Sequence, residues 1–269
     1  MEREKEMKKF DKICQNIKNL KVQGAESVAI AGLKAYSLVP EKKSIKKLLS
    51  LRATEPALKN ALEYAERFSV SEALKHFKNS EEKTNKSIFK IIKNNSVIFT
   101  HCHSSTVVDA LIYTKKHGKR FSVLNTETRP LFQGRKTAKE LAKAGIKVTT
   151  MVDSAARQEI RKANVFIIGA DAILKNGNVI NKIGSGMFAE IAFNHKVPVY
   201  IAADSWKFSK NNVKIEERNY SEIWKNAPKS IKVKNPAFEL IEAKHITAII
   251  SEFGILKPKI FSKKALSSL

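Results

Sequence analysis

The feature that most restricts what this chain can fold into lies downstream of Asn95, where short apolar runs alternate with stretches of helical pattern. The runs fall at residues 97–99, 121–124, 148–151, 165–168 and 197–202. Between them, residues 104–117, 136–144, 155–163 and 187–195 repeat their apolar positions at helical spacing, and Gly118, Gly134 and Gly145 punctuate the series. Alternation of this kind predicts βαβ units wound into a largely parallel sheet. The expected class is α/β, with a helical N-terminal domain at residues 1–92 and the sheet domain at 93–269.

The N-terminal part reads as helix throughout. Phe10, Ile13, Cys14, Ile17 and Leu20 form one apolar stripe, which makes Cys14 a core residue. Gly24 and Gly32, set among small residues, suggest a tight junction where backbone approaches backbone or ligand. Ile45, Leu48, Leu49 and Leu51 then lead into a helix start expected at Thr54, with Pro56 just inside it. Arg52, immediately before, is either a solvated charge or an anion clamp at a helix mouth.

In an open α/β sheet, ligands sit outside the carboxyl ends of the strands, where helix N-termini offer unpaired N–H groups. Here each strand runs out into polar residues: Cys102, then Glu127 and Arg129, then Asp153, Asp171 and Asp204. Cys102 stands in Ser96–Leu111, SVIFTHCHSSTVVDAL, flanked by His101 and His103 and followed by Ser104, Ser105 and Thr106. A helix N-terminus would lower its pKa and make it reactive; a small buried hydrophobe is the other reading. A zinc site lacks a second ligand pair at metal spacing, and the glycine-flanked elbow of the α/β hydrolases is missing. Asp153, ahead of SAAR, reads as a helix N-cap. Asp171 in FIIGADAI sits after an apolar strand in a tightly packed corner, where burial would raise its pKa toward proton transfer. Asn176 and Gly177 predict a hairpin turn. Asn181 and Lys182 precede a glycine-rich helix entry, either a phosphate cradle or a surface lysine. Lys207, in SWKF, falls near the same rim.

Composition narrows the setting. The 269 residues, 43% of them hydrophobic, are enough for real cores. Two distant cysteines give no disulfide framework and fit a reducing cytosol. The charged N-terminal stretch and the lack of any long apolar run argue against export or a membrane span. The formal charge of +24 invites a nucleic-acid reading. However, 41 of the 50 basic residues are Lys and only 9 are Arg, spread along the chain without a recognition motif. Nonspecific RNA contact through bulk charge is what that leaves.

With these residues in view, the stretches THCHSST, TETRPLFQG, DSAAR, GADAI, NGNVINKIG, AADSWKF, NPAFEL and FGILKP resemble, in order, the signatures of a known superfamily. It joins the regulatory subunits of eukaryotic initiation factor 2B to methylthioribose-1-phosphate isomerase and archaeal ribose-1,5-bisphosphate isomerase. The resemblance implies a helical N-terminal domain followed by a Rossmann-like domain, and homo-oligomers built through the latter. It implies Cys102 and Asp171 as the catalytic pair, the thiol assisting ring opening and the carboxyl serving the C1/C2 step, with no cofactor and no metal. The substrate contacts it implies fall on Gln23, Gly24, Ala25, Arg52, Ser104, Ser105, Thr106, Gln133, Asn181, Lys182 and Lys207. Gln23 replaces an Arg usual in catalytic members, and His103 and Ser105 replace a commoner Asn and Lys. The expected function is a cytoplasmic aldose–ketose isomerase acting on a phosphorylated pentose, ribose 1,5-bisphosphate in nucleoside salvage. The alternative is a noncatalytic subunit that binds a translation initiation factor.

Overall fold

The computed structural model describes residues 2–52 and 55–268, so the helix start expected at Thr54 lies outside the described residues. Helices α1 (Glu2–Lys18), α2 (Ala25–Leu38), α3 (Lys42–Leu51), α4 (Pro56–Arg67) and α5 (Val70–Ile91) come first. Their apolar stripes meet in one cluster that takes in Phe10, Cys14, Val28, Leu33, Leu48, Leu58, Leu62 and Phe77. Cys14 is buried there, as its place on the α1 stripe requires. Gly32 is what allows α2 to lie against α4, since a Cβ at that position would fall 2.2 Å from Leu58 Cδ1.

The alternation then takes shape as β1 (Ser96–Thr100), α6 (Ser105–Lys116), β2 (Phe121–Thr126), α7 (Gln133–Lys143), β3 (Lys147–Met151), α8 (Ala156–Ile160) and β4 (Val165–Ile168). A hairpin follows, β5 (Ala172–Leu174) and β6 (Val179–Lys182), and then α9 (Ser185–Asn194), β7 (Val199–Ala202) and β8 (Phe208–Ser209). The chain ends with β9 (Phe238–Ile241), β10 (Ala248–Ser251), β11 (Gly254–Leu256) and α10 (Pro258–Ser268). The main sheet has seven strands in the order β11-β10-β7-β4-β1-β2-β3, and all pair in parallel except β11 with β10. Successive strands run one way from β1 to β3 and the other way from β4 to β10. The order therefore reverses between β1 and β4, the switch point of a doubly wound, Rossmann-like sheet.

Two departures from the sequence reading have local causes. The run at 197–202 begins as strand only at Val199, because Pro198 has no N–H for the ladder. The helix expected at 155–163 is shorter, a 3-10 turn over Asp153–Ala155 followed by α8. A second sheet, β8-β5-β6-β9, was not foreseen as a sheet, although the Asn176–Gly177 turn that opens it was; Gly177 adopts φ +87° there.

The helical and sheet parts share packing. α5 also sends Ile88 into the cluster that holds Val107, Leu111 and Val123 beside the sheet. In the other direction Trp206, just after β7, is buried in the N-terminal cluster. Its ring stacks on His76 at 3.8 Å and meets Phe77 edge-on at 5.1 Å. Asn60 of α4 fixes that turn by donating to the carbonyls of Trp206 (2.7 Å) and Phe208 (2.9 Å).

Candidate active site

A cavity of about 590 Å³ opens at the switch point, between the ends of β1 and β4 on one side and α2 and the α3–α4 connection on the other. All the site residues named from the sequence line it, except Thr106. Thr106 is buried, and its hydroxyl donates to Glu26 Oε2 at 3.3 Å, so it supports a lining residue instead of facing a ligand.

Cys102 follows β1 in a left-handed conformation, φ +65°, unusual for a residue with a Cβ. Its N–H donates to Thr128 Oγ1 (3.0 Å) and its carbonyl accepts from Thr137 Oγ1 (2.8 Å). The loop after β2 and the first turns of α7 thus hold the backbone that presents the thiol. The thiol keeps some surface on the cavity, yet protein surrounds it closely. Burial pushes it up to about 11, against a smaller pull from Lys182. This corrects the expectation of a thiol lowered by a helix N-terminus. α6 begins at Ser105, and the N-cap is Ser104, whose Oγ accepts from the Val107 N–H. Cys102 stands outside that turn and remains a neutral, proton-bearing thiol at neutral pH.

Next to it His101 is buried between Thr126 Oγ1 and the Ile183 carbonyl, which accepts from Nε2 at 2.9 Å. Burial holds this imidazole down to about 4, so it is neutral and structural. His103 faces the cavity and pairs with Thr137 Oγ1 at 3.1 Å.

Asp171 follows β4, and its N–H is held by the Ile180 carbonyl across the hairpin at 2.9 Å. Burial raises its carboxyl, while Lys207, Lys182 and Arg52, in that order, pull it back down. Gly169, two residues earlier, packs on the Ser104 side chain, and a Cβ there would come within 2.5 Å of its Oγ. That contact keeps the β1 and β4 exits together. Asn181 is buried and donates to Ser185 Oγ at 3.0 Å, while Lys182 carries its ammonium over the Phe238 ring at 5.0 Å. Lys207 is only 4% exposed, although its neighbours on the cavity include both Glu26 and Asp171. Gln133 opens α7, and its Oε1 is buried without a hydrogen-bond partner among the described residues.

The other wall is made by helices. Gly24 takes φ +90° and caps α2 with no side-chain bond, so the first turn of α2, Ala25 to Ser27, opens on the cavity. With α6 and α7 this is a third helix amino end on the same space, an arrangement suited to an anion. Gln23 bends back to donate to the Leu20 carbonyl at 2.8 Å. Arg52 is neither solvated nor free: it is bound by Glu55, which the sequence reading did not single out. Glu26, Lys136 and Arg218 were missed as well. Their only sequence signal was position, Glu26 beside Gly24–Ala25 and Lys136 beside Gln133.

Other acids expected on the rim do different work. Asp153 does not cap its own helix; its carboxylate accepts from the N–H groups of Thr128 (2.9 Å) and Arg129 (2.6 Å), bracing the loop that holds Cys102. Glu127 pairs with Arg135 at 2.6 Å. Asp204 accepts from the Trp206 N–H at 2.8 Å and stands 2.9 Å from His76 Nε2. With Glu252, these two form the one group among the described residues whose donors converge as a metal site would need. It lies beneath the turn that carries Lys207, outside the cavity.

The Initiation factor 2 subunit family model matches residues 35–258. A ribose 1,5-bisphosphate isomerase of Thermococcus kodakarensis is 35% identical over 94% of this chain and 92% of that protein. A methylthioribose-1-phosphate isomerase of Dehalococcoides mccartyi is 34% identical over 94% of this chain and 91% of its own length. Among solved structures, a Pyrococcus horikoshii OT3 protein described as translation initiation factor eIF-2B superposes with a TM-score of 0.84 at 25% identity, covering 93% of this chain and 97% of that one. The match over most of the chain, on a fold with the same helical and sheet halves, means that this protein belongs to the Initiation factor 2 subunit family.

Proposed function

We propose that the chain is an aldose–ketose isomerase acting on a ribose 1-phosphate derivative, with ribose 1,5-bisphosphate as its substrate. The observation that carries this reading is the pairing of Cys102 and Asp171 at the two strand exits that flank the switch point, on one cavity with Lys182 and Lys207. The relatives bearing isomerase names support the same class.

The chemistry asks for two proton-handling groups. A pentose phosphorylated on its anomeric oxygen has no free aldehyde, so the bond from C1 to the ring oxygen must break before hydrogen can pass from C2 to C1. A neutral thiol can give its proton to the departing ring oxygen, and burial keeps Cys102 in that form. As the ketone forms, the C2 hydroxyl must lose its proton, and Asp171 is the acceptor: burial raises its carboxyl toward proton-accepting strength, and Lys207 and Lys182 oppose that rise. The lysines and the three helix amino ends supply the field for phosphate.

The division at residue 92 makes the cavity an interdomain one under this reading. Assembly of copies through the C-terminal half is part of it, with Met187 and Phe193 of α9 exposed as apolar side chains. No described helix is long and apolar enough to cross a membrane. The second reading, a noncatalytic subunit that binds an initiation factor, draws on Gln23, whose side chain is folded onto its own backbone and offers no charge to a phosphate.

The test is turnover of ribose 1,5-bisphosphate followed by phosphorus NMR, with methylthioribose 1-phosphate in parallel. Cys102→Ser and Asp171→Asn are each expected to lower kcat by about 10²–10⁴. Absence of turnover of both sugars by the unaltered protein would favour the noncatalytic subunit.

A further inference from the structure

The Arg52 end of the cavity is not built as an anion clamp. Arg52 keeps 8% of its side-chain surface and Glu55 none. The Arg52 Nε donates to Glu55 Oε1 at 3.1 Å, Nη2 bonds the same oxygen, and Nη1 stands 3.7 Å from Glu216 Oε2. Arg218, beside it, is committed in the same way, Nη2 to Glu222 at 2.6 Å and Nη1 3.6 Å from Glu216. A phosphate arriving here would have to displace carboxylates from a guanidinium that they already surround. It would also meet the Glu55 carboxyl, which offers a phosphate oxygen no positive charge.

What this end does offer is an acceptor. Glu55 lines the cavity, is 2% exposed, and its second oxygen, Oε2, is buried with no hydrogen-bond partner among the described residues. A buried carboxylate oxygen left without a donor is costly, so a donor from a bound molecule is the natural complement. Glu55 and Asp171 line the same cavity; burial raises the Glu55 carboxyl, Arg52 pulls it down, and the charge of Asp171 adds to the rise. Lys182 and Lys207, by contrast, line the cavity with no ion pair to a carboxylate within 4 Å among the described residues.

We propose that Glu55 reads a hydroxyl of the bound sugar, its Oε2 accepting the hydrogen bond, with Arg52 as the tether that aims the carboxylate and not as a phosphate ligand. Phosphate is then held elsewhere, by Lys182, Lys207 and the helix amino ends. This rests on the sugar-phosphate reading above and adds a specificity-determining residue to it.

Two calorimetric titrations decide the matter. In the first, inorganic phosphate is the probe: Arg52→Met should leave its affinity within twofold of the unaltered protein. A loss of tenfold or more would overturn the proposal, because it would make Arg52 a phosphate ligand. In the second, Cys102→Ser protein is titrated with ribose 1-phosphate and its 2-deoxy and 3-deoxy analogues. At least one analogue should bind tenfold more weakly or worse, and Glu55→Met should reduce that discrimination to under threefold. Should Glu55→Met misfold with Arg52 left unpaired, the double variant Arg52→Met, Glu55→Met removes both charges together and serves in its place. Discrimination that survives the loss of Glu55 overturns the proposal. If none of the three sugars binds, the sugar-phosphate reading itself fails, and the phosphate titration alone judges the role given to Arg52.

Discussion

The two walls of the cavity are built by different means. On the sheet wall, Cys102 and Asp171 are set by backbone hydrogen bonds and by close packing of one strand exit on another: Thr128 and Thr137 on Cys102, Ile180 on Asp171, Gly169 on Ser104. On the helical wall, Arg52 and Glu55 are set by each other, and the helices are brought to the sheet part through the Trp206 turn and through α5 packed on α6. The sheet wall is therefore pre-formed by its fold. The helical wall depends on docking and on charge pairing, and this is where recognition of different ligands can change without loss of the scaffold.

The strongest way to break this contrast is to remove the docking residue. Trp206→Ala should destabilise the protein by about 3–5 kcal/mol in urea unfolding, because a large ring would be lost between His76, Phe77 and Tyr64. If unfolding stays a single transition of unchanged slope, the two walls form one cooperative unit. If it splits, the helical wall is the separable part.

Next comes the sheet wall. Gly134→Ala would set a Cβ 1.8 Å from the Thr126 carbonyl oxygen, a backbone atom that cannot step aside. A cost of about 1–3 kcal/mol or more is expected, together with displacement of α7 and loss of the Thr137 bond that holds Cys102. A milder cut on the docking side is Asn60→Ala. It strands the Trp206 and Phe208 carbonyls and should cost about 1–3 kcal/mol, seen as a lower Tm.

Acid sharpens the contrast, because His101 belongs to the sheet wall. In the folded protein its pKa is held down to about 4, whereas in the unfolded chain it is ordinary, near 6.5. Between those values the unfolded chain binds the proton more readily, so this residue's contribution is whole above pH 6.5 and is lost as pH falls toward 4. His101→Gln should flatten the fall of Tm over that window. At the alkaline end, the thiol raised to about 11 should make alkylation of Cys102 by iodoacetamide slow at pH 8 and quicken it only as that value is approached. The smallest expected effect on stability is at Gln23, which is exposed: Gln23→Arg should change Tm little, within about 0.5 kcal/mol.

The sequence by itself determined the sheet wall. Periodicity in the chain marked β1, β2, β3, β4 and β7 and the helices between them, though not β10 and β11, and the residues that follow a strand's last apolar position must emerge at the carboxyl edge, so Cys102 and Asp171 could be placed at the same rim. It also showed Asn176–Gly177 as a turn, because a dipeptide of that kind carries its geometry locally. Tertiary structure alone decided the rest. Glu55 has no periodic or motif signal; its pairing with Arg52 is local, but only packing sets that pair in the cavity wall with one oxygen left open. Asp153 looks like a cap in sequence, but the N–H groups it serves belong to a loop some two dozen residues away. The thiol's high pKa likewise follows from how many atoms of distant segments gather around it. Local pattern fixes where a side chain leaves its own element, but what that side chain meets, and hence its charge and its task, depends on elements that only packing brings near.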